Sequence, residues 1–438
     1  MTNCVIELND HQIRVANGVD ILLRSPGYAF IGKDKIEIGA AAAQQARLQP
    51  RAAHNRYWKN LNQDPLQYPS SLARHNADLA FAQLLSIHEQ AGKPDEVILA
   101  VPGTYSKEQL ALLLGLVEAS PFRAVGLVDA AIAATSIIAG RGHYVHIDLH
   151  LHQAVLTRIE VTDRVSRMNV RTIDGAGMQS ILDTTAHVIA DLFIKESRFD
   201  PQHHPETEQA LYDQIPACLQ ALQSHGEVAL EIQYQQTQHQ ATLPAALLLA
   251  ALQGHYDRIA AAIEPGTTRL ISDQAGNLPG LSARLAEPEP VAETNVFQAC
   301  RVHAAFIHSS GSGLNYVTSL PATTEPVISA VAVQRKPASQ QPGPHNTPAT
   351  HLLHQHEAVP LLGKSLYLSA AGMIDSKESG ESHCFIRFLN GNIRIEPRGE
   401  ITVFVNGRQL TQATAVQAGD IVSFAGSKTE YTFIHVSE

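Results

Sequence analysis

Long apolar runs, cysteine motifs, aromatic residues and excess positive charge are all scarce in this chain of 438 residues, and each scarcity removes a class of function. The richest apolar run, Pro244 to Gln253, is too short to cross a bilayer, so no membrane insertion is expected. Cys4, Cys218, Cys300 and Cys384 lie far apart and form no CxxC pair, which signals neither a disulfide framework nor a zinc knuckle. Lys and Arg number 32 against 42 Asp and Glu, a formal charge of −10 with no basic footprint for nucleic acid or anionic lipid. Met1-Thr2-Asn3-Cys4 runs straight into an apolar strand without the charged and apolar segments of a signal peptide. A reduced, cytoplasmic protein is expected. With 44% hydrophobic and 17% charged residues the chain folds, and its length predicts two or three domains.

Histidine is the residue in surplus, at 22. Most lie in polar surroundings, as His203-His204, His351, His354 and His356 do, and no HExxH or Cys/His zinc spacing accompanies them. The exception is Tyr144-Val145-His146-Ile147-Asp148-Leu149-His150-Leu151-His152, a strand running into a tight turn, with a second apolar alternation from Ala154 to about Asn169. Extended backbone places His146, Asp148 and His150 on one face, with His152 near. Two readings stay open for them: a metal ligand set, or polar filling of a cleft.

Upstream, Cys4–Glu7 and Ile13–Val15 predict two strands joined through Asn9-Asp10, a pair that tolerates positive φ. An amphipathic helix is predicted over Ala77–Gln90, a buried strand over Val97–Pro102, a helix containing Gln109, a strand over Phe122–Val128 and a small-residue helix from Asp129 to Ala134. Downstream, Ile173-Asp174-Gly175-Ala176-Gly177 opens a helix from Met178 to Glu196, and Arg198 to Glu208 reads as a surface loop. Glu227–Tyr234 and Gln240–Leu243 form a hairpin before a helix from Pro244 to Ile263, with Pro at its first position.

In order and spacing these segments resemble the actin, sugar-kinase and heat-shock-chaperone ATPase superfamily over roughly residues 3 to 320. The segment from Ile38-Gly39-Ala40 to Trp58-Lys59-Asn60 is similar to the chaperones' Gly-Ala helix and lysine loop, so the resemblance puts Lys59 near their catalytic lysine. Gly175 and Gly177 are similar to the glycine pair before the second-lobe helix. Pro279-Gly280-Leu281, following the strand Arg269–Ser272, resembles the adenosine-binding turn. The implied fold is α/β, a two-lobed actin-like body over 1–325.

The departures all lie in the phosphate and adenosine turns. Glu7 stands for the usual Asp, Asn9 for a Gly and Asp10 for a hydroxyl residue; after Asp148, His150 and His152 replace glycines; Asp273-Gln274, before Gly276, replaces a glycine pair. Bulk and negative charge there oppose the close N–H approach that phosphates need. If ATP and magnesium bind, they do so through Glu7, Asp148 and Lys59; otherwise there is no cofactor.

Residues 326–360, rich in Pro, Gln and His, read as a linker, and 361–438 as a small all-β sandwich with turns at Asn390-Gly391, Asn406-Gly407 and Ala418-Gly419-Asp420. The sandwich resembles the forkhead-associated fold through Val405-Asn406-Gly407-Arg408 and Gly419-Asp420-Ile421. That resemblance implies a protein partner, with a phosphopeptide as one form of it, and His383, Arg387, Asn406 and Arg408 as candidate contacts. The phosphothreonine-reading Gly-Arg pair is missing and Gly380 stands where a Ser should precede His383. The expected function is a pseudo-ATPase scaffold or adaptor; the alternatives are a chaperone-like ATP switch with at most weak ATPase activity, and a metal-binding protein. No nucleophile–base pair supports another enzymatic activity.

Overall fold

The computed structural model describes residues 4–309 and 314–323 and, further on, 351–354, 357–361, 366–369, 374–375, 383–389, 392–398, 401–406, 408–410, 414–416, 419–425, 427 and 430–434. The chain divides into two compact units, Met1–Ala332 and Val333–Glu438.

The N-terminal unit is mixed α/β and contains the same sheet twice. In the first, an antiparallel meander of Cys4–Glu7, Ile13–Asn17 and Asp20–Ser25 is extended beside Cys4–Glu7 by two parallel strands, Glu96–Val101 and Arg123–Asp129. In the second, the meander Gly142–Leu149, Gln153–Val161 and Arg164–Asp174 is extended beside Gly142–Leu149 by the parallel strands Thr268–Ser272 and Glu289–Val291. Each acquires a short sixth strand, Tyr316–Val317 and Ser319–Pro321 respectively. The first hairpin of each meander is therefore in the corresponding place.

Parallel strands buried on both faces need continuous apolar sequence, and Val97-Ile98-Leu99-Ala100-Val101 supplies it with each residue at most 1% exposed. Helices cover both sheets. Asn76–Gln90 and Lys107–Glu118 pack on the outer face of the first, and Met178–Ser197, Pro205–Ala221 and Ala245–Ala260 on that of the second. A third core lies between the sheets and contains the helices Ala130–Ser136 and Asn295–Val302. Alanine carries most of the first of these helices, which lets it fit where two sheets converge.

Several boundaries differ from expectation. The segment from Pro205 starts a 17-residue helix where a loop through Glu208 is expected: Pro205 takes the first helical turn, where its missing N–H costs nothing, and Pro216 is tolerated inside. Pro244 ends the strand Thr237–Pro244 and caps the next helix without entering it. The alanine run after Gly39 forms only one short helix, Ala40–Ala43.

Among its described residues the C-terminal unit has two antiparallel sheets of six and five strands around a buried core that includes Leu352, Leu368, Ile386, Ile395, Val422 and Phe433. His351–His354 and Glu357–Pro360, inside the expected linker, form a hairpin whose first strand pairs with Glu430–Ile434. Gly380, Asn390-Gly391, Gly407, Ala418 and all of 324–350 lie outside the described residues.

Candidate functional site: two hairpin tips and a filled cleft

The tips of the two equivalent hairpins meet. Asn9 Nδ2 donates to Asp148 Oδ2 at 3.0 Å and to the Leu149 carbonyl at 3.1 Å, while its Oδ1 accepts from His11 N and so shapes its own turn. Asp10 Oδ1 accepts the Leu151 amide at 2.7 Å and lies 3.3 Å from His150 Nδ1. His150 Nε2 in turn is 3.6 Å from Asp148 Oδ2. Burial pushes the Asp10 carboxyl up, but His150 and the Leu151 amide outweigh it and hold it below the ordinary carboxylate range. Burial likewise pulls His150 down, yet Asp10 and Asp148 reverse the sign and raise it. The two side chains thus stabilise each other's charged forms.

Three backbone donors beside the second hairpin tip bond within the chain. Met178 N donates to the His150 carbonyl at 2.9 Å, Gln179 N to that of Leu151 at 2.7 Å, and Gly175 N to that of His152 at 3.0 Å. The start of the helix Met178–Ser197 therefore caps the hairpin turn, the use to which an anion site would otherwise be put. Gly177 is required by this approach, since a Cβ there would fall within 2.6 Å of the His150 carbonyl oxygen. Gly175, at φ +68°, serves the turn before it.

On the other side of the tips Arg14 fills the cleft. Its Nε and Nη2 contact Glu7 at 2.8 and 3.0 Å, and its Nη1 contacts both Asp273 oxygens at 2.9 and 3.0 Å. Burial pushes Glu7 up more than Arg14 draws it down, and Asp273 rises for the same reason. The guanidinium, held between two carboxylates, is raised above its usual value and stays charged. Glu293 and Arg24 continue the network at the surface, with Arg24 Nη2 2.9 Å from Glu293 Oε2. Arg14 was readable only as a charge inside an apolar strand, Ile13-Arg14-Val15, a pattern that demands carboxylate partners without naming them.

Two cavities border the hairpin tips. One of ≈ 30 Å³, bordered by Glu7, Arg14, His146, Asp148, Thr157 and Asp273, has room on the order of a single water. His146 faces it, buried and with no hydrogen bond to its ring among the described residues, and burial pulls its pKa down against the pull of Asp148 and Asp129. The other, of ≈ 220 Å³, is bordered by Asp10, Lys59, Tyr105, His150, Gln153 and Asp174. Lys59 Nζ is 2.6 Å from Asp174 Oδ1, which neutralises it at this cavity's rim. His152 turns away from the hairpin face to Asn55, with Nε2 2.9 Å from the carbonyl and 3.1 Å from Oδ1. Among the described residues no three His, Cys, Asp or Glu side chains gather as a metal site. The turn after Leu149 breaks the strand alternation and sends His150 to Asp10 and His152 to Asn55.

At the expected adenosine turn Asp273 opens a four-residue helix, Asp273–Gly276, capped by Ser272. The Gln274 amide is buried there with neither end hydrogen-bonded, and Gly276 ends the helix. A second cross-sheet clamp was not foreseen. Arg47 lies 3.0 Å from Asp183 and 3.6 Å from Glu208, with its guanidinium 3.6 Å from the centre of the Tyr212 ring. Nearby, Tyr28 Oη donates to Gln179 Oε1 at 2.6 Å.

In the C-terminal unit Asn406 takes φ +50° and is committed to its own fold, donating to Asp420 Oδ1 at 2.7 Å and accepting from Ile421 N at 2.9 Å. The His383 ring lies edge-on to Phe424, 6.0 Å between centres. Arg387 and Arg408 lie on the strands Cys384–Leu389 and Arg408–Gln409, but their side chains fall outside the described residues.

No protein-family model matches the chain, and no curated protein matches it. No helix among the described residues is long and apolar enough to cross a membrane.

Proposed function

We propose that the N-terminal unit is a two-lobed, actin-like pseudo-ATPase body that works as a scaffold for protein partners, with the C-terminal unit as a forkhead-like β-sandwich and second binding module. One observation carries the reading: the two hairpin tips, which would cradle phosphates in an ATPase of this kind, bond directly to each other through Asn9, Asp10, Asp148 and Leu151. The repeated sheet order supports the two-lobed body. The ≈ 30 Å³ left between Glu7 and Asp148 is far below the roughly 300 Å³ at which small-molecule pockets begin.

The cleft is bridged on both sides by this chain's own side chains, Arg14 to Asp273 and Arg47 to Asp183, which ties the two halves of the body together. A body of fixed shape presents its partner surfaces permanently, and a second module on the same chain raises the local concentration of a shared partner.

The test is calorimetric titration of the full chain with ATP and magnesium after chelator treatment. Absence of heat up to about millimolar ATP, the weak end of specific binding, is the expected result. Saturable binding that disappears in Asp148→Ala would overturn the reading in favour of a nucleotide-driven switch.

A further inference from the structure

The ≈ 220 Å³ cavity at the hairpin tips has a polar wall that the chain's own hydrogen bonds leave incomplete. Both halves of the N-terminal unit border it, the first through Asp10, Lys59 and Tyr105 and the second through His150, Gln153 and Asp174. Gln153 is only 8% exposed, yet its side-chain amide makes no hydrogen bond among the described residues, nor do the hydroxyls of Thr104, Tyr105 and Thr172 on the same wall. A buried amide in that state calls for a partner inside the cavity.

The charges are ordered from the floor to the mouth. At the floor the side chains of Asp10 and His150 are each 6% exposed, and the two imidazole nitrogens are engaged, Nδ1 3.3 Å from Asp10 Oδ1 and Nε2 3.6 Å from Asp148 Oδ2. Asp10 Oδ1 also takes the Leu151 amide, whereas its Oδ2 has no hydrogen-bond partner among the described residues. The unbonded charged atom at the floor is therefore an acceptor. At the mouth the side chain of Asp174 is 74% exposed and that of Lys59 21%, and their contact at 2.6 Å occupies one of the ammonium's three donors. The unbonded charged groups of Lys59 are therefore donors.

This order selects a ligand class. An anion meets Asp10 and Asp174, and a cation meets Lys59 and His150, so an ion of one sign is repelled at either end. A zwitterion with its ammonium inward meets the opposite sign at both ends, through charge-assisted bonds about twice as strong as those a neutral polyol makes. A cavity of about 150 Å³ takes the six heavy atoms of benzene, so ≈ 220 Å³ takes about nine.

We propose that this cavity binds a small polar α-amino acid, with its ammonium on Asp10 Oδ2 and Gln153 at the floor and its carboxylate on Lys59 at the mouth. Because both halves supply its contacts, the bound amino acid holds them together at the hairpin tips.

Calorimetric titration of the full chain with L-asparagine and L-serine tests it. At least one of the two should bind saturably with a Kd of about 1 mM or tighter. Lys59→Met should weaken that binding about tenfold or more and Gln153→Ala about threefold or more, with circular dichroism checking that each variant is folded. Lys59 lies at the rim, so its variant tests the site even where Gln153→Ala disturbs the hairpin. No saturable heat with either amino acid up to about 10 mM, equal or tighter binding of inorganic phosphate, putrescine or glucose, or binding that Lys59→Met leaves unchanged overturns the proposal. The titrations contain no ATP, so this proposal and the pseudo-ATPase reading fail separately.

Discussion

Replacing Arg14 by alanine should be among the most damaging single changes in the N-terminal unit. The side chain is 4% exposed, Glu7 is 6% exposed, and four hydrogen bonds within 3.0 Å join Arg14 to Glu7 and Asp273. Removing the cation leaves a buried carboxylate pair without its counter-ion, which in comparable settings costs about 3–5 kcal/mol. At about 2 °C per kcal/mol, the figure for large domains, the main thermal transition of the full chain should fall by about 6–10 °C in scanning calorimetry at pH 7. The deficit should also depend on pH. Glu7 and Asp273 have raised pKa values even with Arg14 present, because burial disfavours their charged forms. A carboxyl whose folded pKa exceeds its unfolded one destabilises the fold as pH rises through the window between the two. Without Arg14 that window widens upward, so the gap to wild type should narrow on going from pH 7 to pH 5. Adding Glu7→Gln and Asp273→Asn to Arg14→Ala should recover most of the loss at pH 7, since the uncompensated charges are then gone. A drop below about 2 °C for Arg14→Ala, or a triple variant no more stable than the single one, would refute the assignment of Arg14 as the ionic lock of the cleft.

Asn9→Ala removes the side chain that ties the first hairpin tip to Asp148 and Leu149, and should cost about 1–3 kcal/mol in urea unfolding, with faster hydrogen exchange at Leu149 and Leu151. Arg47→Ala should cost about 1–2 kcal/mol, less than Arg14→Ala because Arg47 is 27% exposed, and should expose residues 44–52 to limited proteolysis. His150 has a raised pKa, so the stability it lends the tips is complete below the ordinary histidine value and is lost as pH rises through the folded one. His150→Gln should flatten the stability profile in that window. In the C-terminal unit Asn406→Ala should lower stability by about 1–2 kcal/mol by removing two hydrogen bonds and forcing alanine into φ +50°; Asn406→Gly should recover the backbone part alone.

The periodicity of the sequence made most of the regular structure legible. Val97–Val101, Asn76–Gln90, Met178–Ser197 and the two hairpins carry patterns whose period matches their burial, so local reading and tertiary packing agree. Reading failed where the local signal was ambiguous. Proline and paired histidine before Thr207 suggest a loop as readily as a helix start, and only packing of Leu211, Ile215 and Cys218 against the second core decides for the helix. Strand pairing beyond a hairpin was equally hidden: nothing in Asp20–Ser25 or His351–His354 names its neighbours, because a β-strand's partner is chosen by residues far away.

At the cleft, the sequence singles out the two turns that meet but not which side chains bond across them. Asp10 is a carboxylate in a turn that resembles a phosphate loop, and its repulsion of an anion follows from residue type alone. Its acceptance of the Leu151 amide does not, since 141 residues separate the two and only the doubling of the sheet brings them together. The doubling also places the two hairpin tips within reach of each other. Equivalent hairpins face one another, so a polar side chain on one tip reaches the other and bonds to it directly. Asn9 and Asp10 both do so from the first tip, Asn9 donating to Asp148 and Leu149 and Asp10 accepting the Leu151 amide. If that account holds, glycine at position 9 should loosen the tips without unfolding the sheets, because Glu7 and Arg14 anchor the same hairpin from below. Asn9→Gly combined with Asp10→Thr should then raise exchange at 149–153 while the strand Cys4–Glu7 stays protected; loss of protection in that strand as well would show that the tip contact holds the whole hairpin in place.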